Sequence, residues 1–310
     1  MNAVFIINEQ AGDGKGADVW RNLHADSSYP FKKTAYKGHA TQLARQAVQE
    51  TDQPVLLVVI GGDGTIHEVL NGIIGFEHVT IGVMKAGSGN DFAREFPVFQ
   101  DFSEIKAYLN TIPIARKAAD AGVVQITNNT YRHFASNCGF GLDADISLSV
   151  SQSRIKKTLN KWKLGRLVYA LTVAGCLLRF KRFRASVQIG EKTTYFENVW
   201  MLTVSNQKYY GGGMKISPHS ISDDGIFELT VVHDISLLKF LAVFLTVFNG
   251  SHTRFKGVST YKSQKFIFGV DQEIGCHCDG EYIGTVTVGQ EVVCEVDERK
   301  WYVSTINSQG

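Results

Sequence analysis

Val55-Leu56-Leu57-Val58-Val59-Ile60-Gly61-Gly62-Asp63-Gly64-Thr65 carries an apolar run straight into a glycine-rich turn that holds one carboxylate and one hydroxyl. Behind the turn, Glu68, Val69, Leu70 and Ile73 continue with helical spacing, so the stretch reads as buried strand, tight turn and helix. The glycines let the backbone take positive φ and bring amide N–H groups close to an anion, and the helix N-terminus adds partial positive charge. Asp63 would repel a phosphate unless a metal cation or a sugar hydroxyl intervened, which points to a nucleotide carried with Mg²⁺ rather than to bare anion capture. The competing reading of a lone glycine cluster is a plain strand-to-helix connection, and the rest of the chain has to decide between them.

With 310 residues, 44% of them hydrophobic, the chain has room for two domains. A net charge of +2 excludes a strongly electrostatic protein, so nucleic acid is not expected as a partner and any affinity for anionic lipid must come from local clustering. One such cluster exists. Between Ile146 and Ala185 there is no acidic residue, whereas Arg154, Lys156, Lys157, Lys161, Lys163, Arg166, Arg179, Lys181, Arg182 and Arg184 all fall there. The cysteines, Cys138, Cys176, Cys276, Cys278 and Cys294, are odd in number and lack Cys-x-x-Cys spacing, which fits a reducing compartment. In a strand, Cys276 and Cys278 would face one side and His277 the other, which argues against zinc. Val4 to Ile7 reads as a first strand rather than a signal peptide, and Leu167 to Leu178 and Leu237 to Phe248 are too short to span a bilayer. A cytoplasmic protein is expected, peripheral to the inner face of the membrane.

Outward from the opening stretch, Val4 to Ile7, Ala40 to Glu50, Val55 to Ile60, Ile66 to Ile74 and Val79 to Met84 alternate strand and helix patterns. This predicts βαβ units and a parallel sheet whose ligands sit at the carboxyl ends of the strands. Asn8 to Lys15, Gly61 to Thr65 and Lys85 to Asp91 all lie at such ends. From about Ala121 the pattern changes to short alternating segments such as Val199 to Val204 and Ile226 to Val232, which predict an antiparallel sandwich. Hydrophobic helical segments, Lys163 to Phe180 and Ser236 to Phe248, interrupt it; the second is apolar nearly all round, which usually means core. The expected architecture is an N-terminal Rossmann-like α/β nucleotide domain over 1–122 and a C-terminal antiparallel β-sandwich over 123–290. The tail, 291–310, is open to a return to the first domain, and the site is expected in the cleft between them.

A second glycine-rich loop, Gly87-Ser88-Gly89-Asn90-Asp91-Phe92, follows the next strand and precedes Arg94. Together with Glu68-x-x-Asn71-Gly72, Asn137-x-Gly139-x-Gly141-x-Asp143-Ala144, Gly211-Gly212-Gly213, Asp223-Asp224-Gly225 and Asp279-Gly280-Glu281, it resembles the diacylglycerol kinase family of soluble bacterial lipid kinases over nearly the whole chain. The resemblance implies that Gly61, Gly62, Asp63, Gly64 and Thr65 contact the phosphates of ATP, helped by Asn8, Thr41, Glu68, Gly87, Gly89 and Asn90. It implies a carboxylate and water network of Asp63, Asp91 and Asp120 around a catalytic Mg²⁺. It implies a structural Mg²⁺ at Asp224 and the carbonyls of Ile221 and Ile226. Asp279 would be the general base for the lipid hydroxyl, with Glu281 orienting it or tuning its charge. From the residues alone, Asp279-Gly280 is a hairpin turn, Asp120 a turn residue and Asp224 part of a turn.

The chain departs from the family pattern at Asn8-Glu9-Gln10-Ala11-Gly12, which lacks the proline and hydroxyl of Asn-Pro-x-Ser-Gly, and at Tyr282, where proline often follows Asp-Gly-Glu. The implied activity is transfer of the γ-phosphate of ATP to the hydroxyl of a membrane lipid, foremost diacylglycerol. Phosphatidylglycerol, a sphingoid base, a polyprenol or a soluble small molecule are alternative acceptors, and a nucleotide- or lipid-binding regulator without catalysis is the reading from another class. Basic region 154–184 is expected to contact anionic phospholipid. An exposed sheet edge would favour a homodimer.

Overall fold

The computed structural model describes residues 2–24, 29–111, 115–127, 130–152 and 165–305. Its N-terminal part runs β1 (Asn2–Ile7), α1 (Lys15–His24), β2 (Phe31–Lys33), α2 (His39–Gln49), β3 (Val55–Gly61), α3 (Asp63–Ile73), β4 (Val79–Lys85), α4 (Phe92–Glu95) and α5 (Phe102–Leu109). Strands β2, β1, β3 and β4 lie in that order and are all parallel. Every residue of β3 is buried, because helices cover both faces of the sheet. Leu57 and Val59 join the core under α2 and α3, and Leu56, Val58 and Ile60 join the opposite core with Phe5, Trp20 and Phe102.

The chain continues through β5 (Arg116–Thr127), β6 (Thr130–Phe134), β7 (Asn137–Gly141), α6 (Leu142–Gln152), α7 (Gly165–Arg179), β8 (Phe183–Ile189), β9 (Lys192–Val199), β10 (Met201–Ser205) and β11 (Phe227–Val232). After α8 (Leu237–Leu245) come β12 (Val258–Ser263), β13 (Lys265–Val270), β14 (Ile274–Cys278), β15 (Glu281–Val286) and β16 (Val292–Ser304). A six-stranded antiparallel sheet, β12-β11-β10-β7-β14-β15, packs on the far half of a ten-stranded sheet. Phe134, Phe140, Phe183, Phe227, Phe266 and Phe268 fill the layer between them. The expected classes, a parallel α/β part and an antiparallel sandwich, are both present.

Strand β16 joins the two parts. It pairs with β13 at one end, with β5 along both halves, and through Val303 with Ile81 of β4 at the other. Strand β5 itself runs unbroken across position 122. The cleft is therefore bounded by one continuous sheet rather than by two bodies on a flexible linker.

Cys138, Cys276, Cys278 and Cys294 are free and buried in the sandwich core. His277 points the other way, Nε2 lying 3.2 Å from Asp143 Oδ2. Helix α8 departs from the expectation of a core helix: Phe240 and Val243 are buried, but Leu238 is 80% and Leu245 74% exposed. Among the described residues no helix is long and apolar enough to cross a membrane.

Candidate active site

The loops after β1, β3 and β4 meet at the carboxyl edge of the parallel strands. Their glycines serve close approach rather than unusual backbone, since Gly61, Gly62 and Gly64 are not among the positive-φ residues. A Cβ on Gly62 would stand 2.9 Å from Gly87 Cα, and one on Gly87 2.5 Å from Gly62 Cα, so the two loops can touch only as glycines. Gly12 does take φ +61, and a Cβ there would meet the Ala86 carbonyl oxygen at 2.1 Å. Helix α3 starts from extended Gly62 with no side chain capping it, which leaves its N-terminal amides directed at the loop junction. Asn8 Nδ2 donates to Thr65 Oγ1 at 2.9 Å and so ties the first loop to the second.

Two adjoining cavities open here, sharing Ser88. The first, of about 470 Å³, is lined by Asn8, Gly12, Gly62, Gly64, Thr65, Glu68, Gly87 and Glu281, with Tyr36 and Lys37 on its far side. Glu68 shapes that side by accepting from Gly38 N at 2.8 Å and Ala40 N at 3.1 Å, satisfying the amides that begin α2. Tyr36 stacks on His39 with ring centroids 4.4 Å apart and presents an exposed aromatic edge. Thr41 is not at the cavity wall. Its hydroxyl donates to the Glu68 carbonyl at 2.7 Å and locks α2 to α3. Asn90, at φ 54, holds the second loop by donating to Gly87 O at 2.9 Å.

The second cavity, of about 630 Å³, lies between the two halves of the molecule. Asp63, His67, Gly89 and Asp91 face it from the α/β part, and Ser136, Tyr210, Gly212 and Asp279 from the sandwich. Asp63 Oδ1 accepts from Phe92 N at 3.0 Å, and Asp91 Oδ2 from Gly212 N at 2.7 Å. Burial raises Asp91 above the usual carboxylate range; the Gly212 amide opposes this and the charge of Asp63 reinforces it. Asp91 Oδ1 is buried without a hydrogen-bond partner, since Arg94 Nε, at 3.3 Å, makes an ion-pair contact outside hydrogen-bond geometry. Two mutually repelling carboxylates with an unsatisfied oxygen are suited to a divalent cation that also holds phosphate oxygens.

Asp279 and Gly280 form the two-residue turn of the β14–β15 hairpin, at φ 48 and φ 81. Both left-handed residues match the mirror-image turn that Asp-Gly favours, so the hairpin reading and the site reading describe the same residues. The tip is pinned. Asp279 Oδ1 accepts from Ser136 N at 2.8 Å and Asn137 N at 2.9 Å, and Oδ2 from Ala135 N at 2.8 Å, with His67 Nδ1 2.7 Å away. Burial alone would raise the Asp279 carboxyl, but the His67 contact and these amides hold it below the usual range. Burial likewise disfavours a charged His67, yet Asp279, then Glu281 and Glu68, raise it above its ordinary value. Glu281 does not touch Asp279: it faces the first cavity, with Lys37 Nζ 3.3 Å from its Oε2.

Asp120 sits within β5, and its carboxylate is held by protein groups. Its buried Oδ2 accepts from Gly225 N at 2.7 Å and its Oδ1 pairs with Lys300 Nζ, so it anchors the 222–225 turn and lines neither cavity. Among the described residues no group of three or more His, Cys, Asp or Glu side chains is gathered that could hold a metal. A metal network at Asp63 and Asp91 would therefore have to be completed by ligand oxygens and water. Asp224 Oδ1 accepts from Ile226 N at 3.0 Å, which accounts for it as a turn residue, and Ile221 is 48% exposed beside it. His67 was not anticipated, because a histidine two residues after a glycine loop looks like any other helix position.

The site lies where a parallel α/β sheet meets an antiparallel sandwich, the arrangement of the NAD kinase-like fold. An NAD kinase from Archaeoglobus fulgidus, solved with ATP, superposes with TM-score 0.53 at 12% identity over 99% of this chain and 94% of that one. A Bacillus anthracis protein provisionally described as a diacylglycerol kinase superposes with TM-score 0.74 at 21% identity, covering 99% of this chain and 98% of that one. Residues 2–126 match the family model of the diacylglycerol kinase catalytic domain, and residues 137–296 that of the YegS C-terminal NAD kinase beta sandwich-like domain. The chain is 30% identical to YtlR of Bacillus subtilis, a protein provisionally named a lipid kinase, over 91% of this chain and 93% of the relative. A diacylglycerol kinase of the same organism is 29% identical over 87% of each chain. The chain belongs to the diacylglycerol kinase family of lipid kinases.

Proposed function

We propose that the chain is an ATP- and Mg²⁺-dependent lipid kinase that transfers the γ-phosphate of ATP to the hydroxyl of diacylglycerol. The observation that carries this reading is the shared second cavity, in which Asp279 from the sandwich faces Asp63 and Asp91 from the glycine loops. In this reading the first cavity takes the nucleotide, its phosphates lying against the α3 N-terminus and the backbone of Gly62, Gly64 and Gly87, with Tyr36 beside the base. Asp63 and Asp91 would hold Mg²⁺, which when bound neutralises charge on the phosphates as the phosphoryl group moves.

The acceptor hydroxyl would lie against Asp279. Three amides and His67 fix this carboxylate in one pose, and its depressed basicity suits a reaction in which the hydroxyl proton becomes acidic only as the new P–O bond forms. His67 positions Asp279 and carries the balancing charge. Glu281 and Lys37 close the nucleotide side across the cleft. Of the basic segment expected to contact anionic lipid, residues 153–164 lie outside the described residues; Arg179, Lys181, Arg182 and Arg184 are exposed, with Arg184 paired to Glu197. Purified protein given labelled ATP, Mg²⁺ and diacylglycerol in mixed micelles should yield labelled phosphatidic acid. Labelling of a soluble acceptor but of no component of a total lipid extract would reject the reading.

A further inference from the structure

Helix α8 and the turn after it present a face that the cleft does not use. Phe240, Val243 and Val247 point inward, whereas Leu238, Leu241 and Leu245, at spacing i, i+3 and i+7, point outward together with Phe248. Leu238, Leu245 and Phe248 are 80%, 74% and 52% exposed. A contiguous face of large apolar side chains held in water marks a surface that is covered when the protein works.

Its charge surroundings select the cover. From Ile235 to Val270 the chain has no Asp or Glu, while Lys239, Arg254 and Lys256 stand exposed. A second copy related by a two-fold axis would set this basic rim against itself, whereas an anionic surface complements it. The inward side of the same helix packs on a segment that reaches the acceptor cavity. Lys215 N donates to Val247 O at 3.0 Å, and Tyr210, Met214 and Ile216 pack with Phe240, Val243 and Val247. Tyr210, Gly211 and Gly212 of the same segment line the cavity.

We propose that the α8 face docks on an anionic bilayer, with Leu238, Leu241, Leu245 and Phe248 entering the interface and Lys239, Arg254 and Lys256 at the level of the lipid phosphates. The docking extends the lipid-kinase reading, because the helix that would meet the membrane is packed on the segment that walls the acceptor cavity. Its test compares the full chain with a Leu238→Ser/Leu241→Ser/Leu245→Ser variant and with a Lys239→Gln/Lys256→Gln variant, on phosphatidylcholine vesicles with and without phosphatidylglycerol. The leucine variant is expected to bind vesicles about tenfold or more weakly. The lysine variant should lose affinity only for the phosphatidylglycerol vesicles, and only at low salt. Both should keep the wild-type thermal melt and the wild-type rate on a short-chain diacylglycerol dissolved as monomers. Wild-type vesicle binding by the leucine variant overturns the proposal, and a change from dimer to monomer with vesicle binding intact assigns the face to a second copy instead. Vesicle binding through α8 by a protein that phosphorylates no lipid leaves the docking surface standing and removes the kinase reading.

Discussion

His67 Nδ1 lies 2.7 Å from Asp279 Oδ2, joining the first turns of the helix behind the glycine loop to a hairpin tip 212 positions later in the chain. Both side chains are nearly inaccessible, at 7% and 6% exposure, so the contact is a buried ion pair whenever the histidine is protonated. It fixes the distance between the helix behind the glycine loop and the hairpin carboxylate. Asp279→Asn keeps the shape but turns one accepting oxygen into a donor facing amide N–H groups. Turnover on diacylglycerol should fall by about 10²–10⁴-fold and stability by about 3 kcal/mol. Denaturant unfolding alongside steady-state kinetics separates the two effects, and an undiminished rate would remove Asp279 from the chemistry.

The same pair makes stability depend on pH in a defined direction. Asp279 is held below its ordinary 3.8, so its contribution is present above that value and is lost as pH falls through the folded-state value. His67 is raised above its ordinary 6.5, so its contribution is complete below 6.5 and is lost as pH rises through the folded-state value. The stability gap between wild type and His67→Gln should therefore be widest between these two reference values and should shrink towards alkaline pH. Thermal melts of both proteins across that range give the curve; a gap that widens on the alkaline side contradicts the pairing.

Asp91 makes the opposite kind of prediction. Its burial and its repulsion by Asp63 make the ionised form unfavourable in the protein without metal. Asp91→Asn should accordingly leave the metal-free protein at least as stable as wild type at neutral pH. Mg²⁺-dependent phosphotransfer should drop by about 10²-fold or more. Phosphotransfer rates across a Mg²⁺ titration, beside a thermal melt without metal, check both halves.

How far the sequence could be read follows from these residues. The parallel sheet was legible because β3 is buried on both faces and must be apolar throughout, and because the glycine loops sit at strand ends. The hairpin at Asp279-Gly280 was legible from turn chemistry, but its partners were not, since the amides of Ala135, Ser136 and Asn137 reach it only through the folding of β7 against β14. Helix α1 was not expected, because Gly12, Gly14 and Gly16 obscure the start of a helix that buries Trp20 and Leu23. The outward face of α8 misled for a physical reason: an apolar sequence reports what a side chain prefers, not whether anything covers it.

Asp120 is held by protein groups on both carboxylate oxygens. It is fully buried, pairs with Lys300 of β16 and accepts from Gly225 N, so it holds the returning strand and the 222–225 turn together. Its backbone carbonyl also accepts from Trp301 Nε1 at 2.9 Å and Asn206 Nδ2 at 2.7 Å, so the position is held from several sides. Asp120→Ala would leave the Gly225 amide without its acceptor, while the half-exposed Lys300 ammonium turns to water, and should cost about 1–3 kcal/mol of stability. If Asp120 acts only through this anchor, the fraction that stays folded should keep the wild-type Mg²⁺ dependence, which a residue of the metal network could not do. A Mg²⁺ titration of phosphotransfer at a temperature where the variant is fully folded decides between the two: an unchanged half-saturating concentration makes Asp120 structural, and a large increase returns it to the catalytic metal.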